Sequence, residues 1–256
     1  MRAGSSTTGS VWKTPPDMCL IVLAFQVHEG VPLLVAANRD EFHARPTRDV
    51  DWWPDMPDVL AGRDLQAGGT WLGVHRSGRF AAVTNCPDDH PPSTSFESRG
   101  CLVTDYLLGA QDPMDYLRTI EGDAFAGFNL LLGDTSTLGY LTNRGSGVRE
   151  LPPGIYGLSN ASLDSSWDKV EQSKQRLAAL VASGDADDPA LFELLADTGD
   201  GSVRAPFVIG AEYGTRCSTI VRAERSGGWH FRERRFAPDG STTGDSRYSF
   251  GGVDPQ

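Results

Sequence analysis

Cys19 is the side chain best suited to covalent chemistry in this 256-residue chain. It follows Met18 and opens the apolar run Cys19-Leu20-Ile21-Val22-Leu23-Ala24-Phe25. If translation starts at Met18, removal of that methionine leaves Cys19 with a free α-amine. One residue would then carry a thiol nucleophile and a base, because an α-amine has a reference pKa of about 7.7–8.0. The other reading of Cys19 is a buried strand cysteine acting as a small hydrophobe.

Further polar groups stand where apolar runs end. Asn38-Arg39-Asp40-Glu41 follows the apolar stretch 31–37 directly, and strand ends that leave a sheet are where sites are built. Arg39 could lower a thiol pKa, and Asp40 could orient an α-amine. The same run could instead be a solvated turn with a local arginine–carboxylate bridge. Thr84-Asn85 and Ser159-Asn160 end two other strands. An asparagine there can donate to an oxyanion, or it can shape a turn or cap a helix. Arg216, in Gly214-Thr215-Arg216, could clamp a carboxylate or hold a thiolate, or be an ordinary surface arginine. Gly68-Gly69-Thr70-Trp71 lacks the Lys-Ser/Thr of a phosphate loop and reads as a turn that lets Trp71 pack. Trp52-Trp53 reads as core or pocket wall.

The elements that must position these groups follow from periodicity. Residues 18–27 and 31–37 read as a hairpin around Glu29-Gly30. Antiparallel pairing then brings Cys19 to residues 38–41, within a couple of residues. The nearly unbroken apolar character of both strands predicts burial on both faces. Residues 38–69 read as loop-rich. A second hairpin (71–74 and 79–84) turns at Ser77-Gly78, and a loop covers 86–98. Helices are expected at 102–108, 114–120, 167–182 and 190–196. Residues 128–132 and 137–142 form a third hairpin, and 155–159, 206–209, 218–222 and 228–236 read as strands. This order predicts an α+β fold, two mainly antiparallel sheets sandwiched by helices. Residues 18–245 form one domain. Residues 1–17 read as a disordered leader or a start placed too far upstream, and 246–256 as a tail.

Composition narrows the function. With 39% hydrophobic and 22% charged residues, the chain can bury a substantial core. A net charge of −11 with scattered basic residues argues against nucleic acid and anionic membrane surfaces as partners. The four cysteines lack zinc spacing and read as reduced thiols of a cytoplasmic protein. The five histidines form no metal motif, so neither a metal nor a cofactor is expected. No apolar stretch reaches the ~20 residues of a membrane span. The oligomeric state is left open.

Many short stretches together resemble one family. They are Met18-Cys19, Asn38-Arg39-Asp40-Glu41, Arg45-Pro46-Thr47, Ala61-Gly62-Arg63-Asp64, Gly68-Gly69-Thr70-Trp71-Leu72-Gly73, Thr84-Asn85, Ser98-Arg99-Gly100, Gly127-Phe128-Asn129-Leu130, Gly157-Leu158-Ser159-Asn160, Trp167-Asp168-Lys169-Val170 and Tyr213-Gly214-Thr215-Arg216. The chain resembles the NRDE family, also called the transport and Golgi organisation family, over about residues 18–240. That family is similar to N-terminal-nucleophile hydrolases of the choloylglycine and penicillin-acylase type. The resemblance implies a four-layer αββα sandwich and hydrolysis of a linear amide, or a related acyl transfer, on a small or lipid-like molecule. It implies catalytic roles for Cys19, Arg39, Asp40, Asn85, Asn160 and Arg216. Asn38, Glu41, Arg63 and Trp71 become candidates for substrate binding or support. Cys217 stands where the resemblance leads one to expect serine, and Cys86 is a second departure. The alternative is a non-catalytic carrier holding haem or an acyl lipid in the same cleft. Haem would need an axial ligand such as Cys19, His28 or His43.

Overall fold

The apolar runs after Cys19 become two paired strands, β1 (Leu20–Phe25) and β2 (Leu33–Phe42), in a computed structural model that describes residues 19–87, 96–199 and 205–252. The chain continues through β3 (Thr47–Trp53), β4 (Met56–Asp64), β5 (Leu72–His75) and β6 (Arg79–Asn85). Helices α1 (Arg99–Leu108) and α2 (Pro113–Thr119) follow, then β7 (Phe128–Gly133), β8 (Leu138–Thr142), β9 (Arg149–Glu150) and β10 (Gly154–Leu158). Helices α3 (Asp168–Ser183) and α4 (Asp188–Leu195) lead to β11 (Tyr213–Ala223), β12 (Gly228–Phe236) and β13 (Thr242–Gly251).

The strands form two sheets. One runs β10-β1-β2-β11-β12-β13 and the other β3-β4-β5-β6-β7-β8-β9. Every pairing between these strands is antiparallel. Strand alternation divides each apolar run between two cores. Ile21, Leu23, Phe25, Leu33, Val35 and Ala37 face the second sheet, where they meet Leu60, Val74, Phe80 and Leu131. Leu20, Val22, Ala24, Leu34 and Ala36 pack under α3 and α4 against Val170, Leu177, Leu191 and Leu195. On the far side, Ala81, Val83, Leu130 and Leu132 meet Leu102, Tyr106, Leu107 and Leu117 of α1 and α2. The result is the expected four-layer αββα sandwich. Each buried Leu, Ile or Phe side chain stabilises it by roughly 1.5–3 kcal/mol.

Local chemistry sets the helix ends. The Asp112 carboxylate accepts the Met114 and Asp115 amides ahead of Pro113 in the first turn of α2. Asp187 caps α4 through the Ala190 amide. Gly184 ends α3 at φ 79°, a left-handed position suited to glycine.

Three expectations change. Residues 38–69 are mostly strand rather than loop: β2 extends to Phe42, and β3 and β4 pair around a turn near Pro54. Strand β3 is an edge strand, and only Val50 and Trp53 of its seven residues are buried, so its charged residues hide the alternation. Residues 206–209 form no strand. That segment is tied instead by Phe207 N–H to Asp197 O at 3.0 Å and Val208 N–H to Thr215 Oγ1 at 2.9 Å. Residues 246–251 are no tail, because β13 runs through them paired with β12. The leader reading of 1–17 lies outside the described residues, as does most of the loop expected at 86–98.

Candidate active site

The β1–β2 register pairs Leu20 with Asn38, which sets Cys19 opposite Arg39. Across the next two strands Arg39 pairs with Cys217, and Cys217 with Arg235. On the other side, Ile21 pairs with Leu158, so Asn160 comes beside Cys19. One transverse row thus runs Asn160, Cys19, Arg39, Cys217, Arg235, with strands ~4.8 Å apart. The row ends at a cavity of about 660 Å³ between the two sheets. Thr84 and Asn85 of β6, Trp71 just before β5, and Ser98 and Arg99 at the start of α1 contribute to its wall.

Cys19 is only partly exposed. Asp40 N–H donates to its Sγ at 3.4 Å, and the thiol donates to Asp40 O at 3.6 Å. The backbone of Cys19 is held through both sheets. Ser159 Oγ donates to Cys19 O at 2.7 Å, and Thr84 Oγ1 donates to Ser159 O at 2.8 Å. Asn129 Nδ2 reaches Thr84 Oγ1 at 3.2 Å and Ala161 O at 2.8 Å, while Tyr140 donates to Asn129 Oδ1 at 2.8 Å. Such a connected buried network fixes a backbone more firmly than single bonds do.

Burial pushes the Cys19 thiol up to about 11, and the Asp40 carboxylate pushes the same way. The Asp40 amide, Arg39 and Lys169 oppose that shift. In this setting the thiol is protonated at neutral pH and needs a base to become a nucleophile.

Asp40 is buried, and its Oδ1 accepts from Thr215 Oγ1 at 2.6 Å. Arg39 is buried with Nη2 3.7 Å from Glu41 Oε2. Arg216 Nη1 donates to Phe42 O at 3.0 Å and Arg45 O at 3.2 Å. Burial, then the Arg39 charge, lowers the Arg216 pKa. A bulge explains how Arg216 and Cys217, adjacent in sequence, line the same cavity. The β2–β11 register shifts between Thr215 and Cys217, leaving Arg216 as the extra residue. Burial raises the thiol of Cys217 well above its usual value, and Glu233 adds to that. The buried Glu233 carboxyl is itself raised, chiefly by burial.

Cys19, Arg39, Asp40, Glu41, Trp71, Asn85 and Arg216 therefore share one cavity. Asn160 is buried beside Cys19 rather than in the cavity wall, and its Oδ1 has no hydrogen-bond partner among the described residues. Two expected supporting residues lie elsewhere. Asn38 ties the sheet to its helical layer: Nδ2 donates to Leu195 O and Pro206 O at 2.8 and 2.9 Å, and Oδ1 accepts from Ser218. Its even position in β2 turns it away from the row of Arg39. Arg63 lies over the Trp53 ring at 4.2 Å and pairs with Asp55 at 2.7 Å, outside the cavity wall.

Sequence reasoning missed Thr215, Glu233 and Lys169. Lys169 is only 2% exposed, at the first turn of α3, and its charge acts on Cys19. It stands inside the stretch Trp167-Asp168-Lys169-Val170, so a lysine before a helical apolar stripe was its available signal. Of the haem ligand candidates, Cys19 lines the cavity, His28 lies in the turn between β1 and β2, and His43 Nε2 is bound to Gly210 O at 2.9 Å. Among the described residues no group of three or more His, Cys, Asp or Glu could hold a metal, and no helix is long and apolar enough to cross a membrane.

Comparison with known proteins gives the family and the fold. The sequence model of the family described as Transport and Golgi organisation 2 matches residues 18–238. The Transport and Golgi organization 2 homolog of Mus musculus is 34% identical, over 85% of this chain and 92% of its own length. The Homo sapiens homolog is 33% identical with the same coverage. Among solved structures, the Caenorhabditis elegans N-acylethanolamine-hydrolyzing acid amidase ortholog has a similar fold, with TM-score 0.55 at 14% identity over 79% of this chain and 92% of that one. A mutant conjugated bile acid hydrolase from Clostridium perfringens matches with TM-score 0.52 at 10% identity, over 90% of this chain and 92% of that one. At such identities these two show a shared fold alone. With its Asn38-Arg39-Asp40-Glu41 run on β2 and Cys19 beside it, the chain shares the fold of these two solved structures and belongs to the Transport and Golgi organisation 2 family.

Proposed function

We propose that the protein is an N-terminal-cysteine amidohydrolase acting in the cytoplasm on a linear amide C–N bond, or on a related acyl transfer, with Cys19 as the mature first residue. One observation carries the reading. The Cys19 thiol is held at the Asp40 main chain, in a cavity, beside a buried carboxylate. A thiol raised to about 11 needs a base at neutral pH, and a Cys19 nitrogen joined to Met18 is an amide that cannot serve. A freed α-amine, with a reference pKa near ~8, can.

In this mechanism the α-amine takes the thiol proton and Asp40 orients the resulting ammonium. Sγ attacks the carbonyl carbon, forming the C–S bond and sending the carbonyl electron pair to oxygen. Asn85, Asn160 and main-chain N–H groups donate to that oxyanion. As the C–N bond breaks, the ammonium gives its proton to the departing amine and leaves a thioester. Water, activated by the same amine, then releases the acid and restores the thiol. Arg39 and Arg216 place positive charge around the thiolate. The family match beginning at residue 18 supports this reading, as do two structural neighbours whose names denote hydrolysis of N-acyl compounds and conjugates.

Mass spectrometry of protein purified from cells, with turnover of N-acyl amides, is the test. The expected mass is that of a chain starting at Cys19, and Cys19→Ala should lower turnover by on the order of 10³-fold or more. A retained Met18 together with unchanged turnover in Cys19→Ala would refute the assignment.

A further inference from the structure

The cavity holds two arginines whose charge the protein leaves largely unmatched. Arg39 is only 7% exposed, and its buried Nη1 has no hydrogen-bond partner among the described residues. Its nearest carboxylate, Glu41, stands 3.7 Å away and also lies 3.8 Å from Arg45. Both separations exceed a hydrogen bond. Arg216 donates only to main-chain carbonyls and forms no ion pair among the described residues. Two other cations of the wall are engaged, Arg45 with Asp64 at 2.6 Å and Arg235 with Asp49 at 3.1 Å. Arg39 and Arg216 are close enough for one charge to disfavour the other. Holding the half-buried Arg216 beside the buried Arg39 is unfavourable unless an anion joins them. This occurs in a chain of net charge −11, so the pair runs against the overall charge of the protein.

We propose that Arg39 and Arg216 form a monoanion subsite, and that the molecule placed against Cys19 is an amide carrying a carboxylate close to its scissile bond. The assignment of that amide as substrate rests on the hydrolase reading above; the anion subsite does not. Arg39 sits one strand from Cys19, ~4.8 Å away along the row. An N-acyl amino acid spans such a gap, because only its nitrogen and α-carbon lie between the scissile carbonyl carbon and the carboxylate carbon. A guanidinium fork takes a carboxylate through two parallel hydrogen bonds. Charge balance favours a single negative charge. Asp40 accepts from Thr215 and, in the hydrolase reading, faces the α-ammonium, so the two guanidinium groups, less the shared Glu41, leave one positive charge for the ligand to meet. A phosphate dianion would put excess negative charge beside Glu41 and Asp40.

The test uses the full chain carrying Cys19→Ala, so that binding is read without turnover. Calorimetric titration compares N-hexanoylglycine, its neutral analogue N-hexanoylglycinamide, and N-hexanoyl-O-phosphoethanolamine. The carboxylate should bind about tenfold or more tightly than the neutral amide, with the gap narrowing as salt rises from ~0.05 to ~0.5 M. Arg216→Gln should reduce that preference to about twofold or less, and a cooperative thermal melt like that of the parent shows that the variant is folded. Arg216→Lys should keep part of the preference. Equal affinity for carboxylate and neutral amide, no measurable binding of the carboxylate, tighter binding of the phosphate, or a preference that survives Arg216→Gln overturns the proposal. A separate turnover assay on the unsubstituted chain keeps the two readings apart. A carboxylate preference without turnover removes the amidase and supports the subsite, whereas equal turnover of charged and neutral amides removes the subsite and supports the amidase.

Discussion

Two thiols flank Arg39 on one transverse row, and they sit in different surroundings. Cys19 lies at the start of β1, partly exposed, with its thiol at the Asp40 main chain. Cys217 lies within β11, buried, with Glu233 as its electrostatic neighbour. Both line the same cavity, and burial raises both pKa values. Shared location therefore does not decide which one reacts. In the proposed mechanism chain position does, because only a cysteine that becomes a first residue brings its own amine as base. The neighbours differ in the same sense. Asp40 has a hydroxyl donor, Thr215, that holds its carboxylate in place. Burial pushes the Glu233 carboxyl toward its neutral form, and its charge opposes ionisation of Cys217.

Exchanging each thiol gives the largest expected difference. Cys19→Ala should remove amide turnover by on the order of 10³-fold or more, whereas Cys217→Ser should keep turnover within about threefold, a surplus hydroxyl in a cavity wall being a modest change. Comparable losses in steady-state kinetics would break the distinction.

The two carboxyl groups come next. Asp40→Asn should lower kcat by about 10²-fold, the scale of a lost acid–base partner, while Glu233→Gln should leave kcat within a few-fold. A pH–rate profile of Asp40→Asn should also lose the part of its limb that reports the α-amine. Equal effects of the two substitutions would show that both carboxyls serve the same chemistry.

Alkylation measures the thiols directly. In a chain that still carries residues before Cys19, reaction with iodoacetamide should be slow at pH 7 and rise as pH climbs toward about 11, where Cys19 ionises. Cys217 should stay unmodified throughout in the folded protein, being buried and having its thiol pushed well above its ordinary value. Peptide mapping after timed quenching would show the order, and modification of Cys217 first would contradict it.

The smallest effect concerns stability. The Glu233 carboxyl has a higher pKa folded than unfolded. Its contribution is thus fully present below the unfolded value, about 4.3, and is lost as pH rises through the folded one. Thermal melts should show Glu233→Gln gaining a few degrees relative to the parent at pH 7 compared with pH 4. A constant difference across that range would mean that Glu233 titrates as an ordinary carboxylate.

How much of the site was legible follows from which contacts are local. The strand runs around Glu29-Gly30 were enough to bring Cys19 to residues 38–41, and the register sets it opposite Arg39. Loss of alternation in those strands correctly announced burial on both faces. The charged edge strand β3 read as loop because its solvent-facing residues outnumber its two buried ones. Asn38 looked like part of the site because it adjoins Arg39 in sequence, yet alternate residues of a strand face opposite ways.

By itself, then, the sequence determined the family, the layer order and the pairing of Cys19 with the run at the end of β2, since these rest on local pattern and a short turn. Only the tertiary structure decided that β11 would pair with β2 across some 175 residues of chain, that a bulge would add Arg216 to the same cavity as Cys217, and that Thr215, Glu233 and Lys169 would surround the thiols. The physical reason is that periodicity tells each strand which of its faces is buried, whereas which strands become neighbours is settled by the packing of all four layers together.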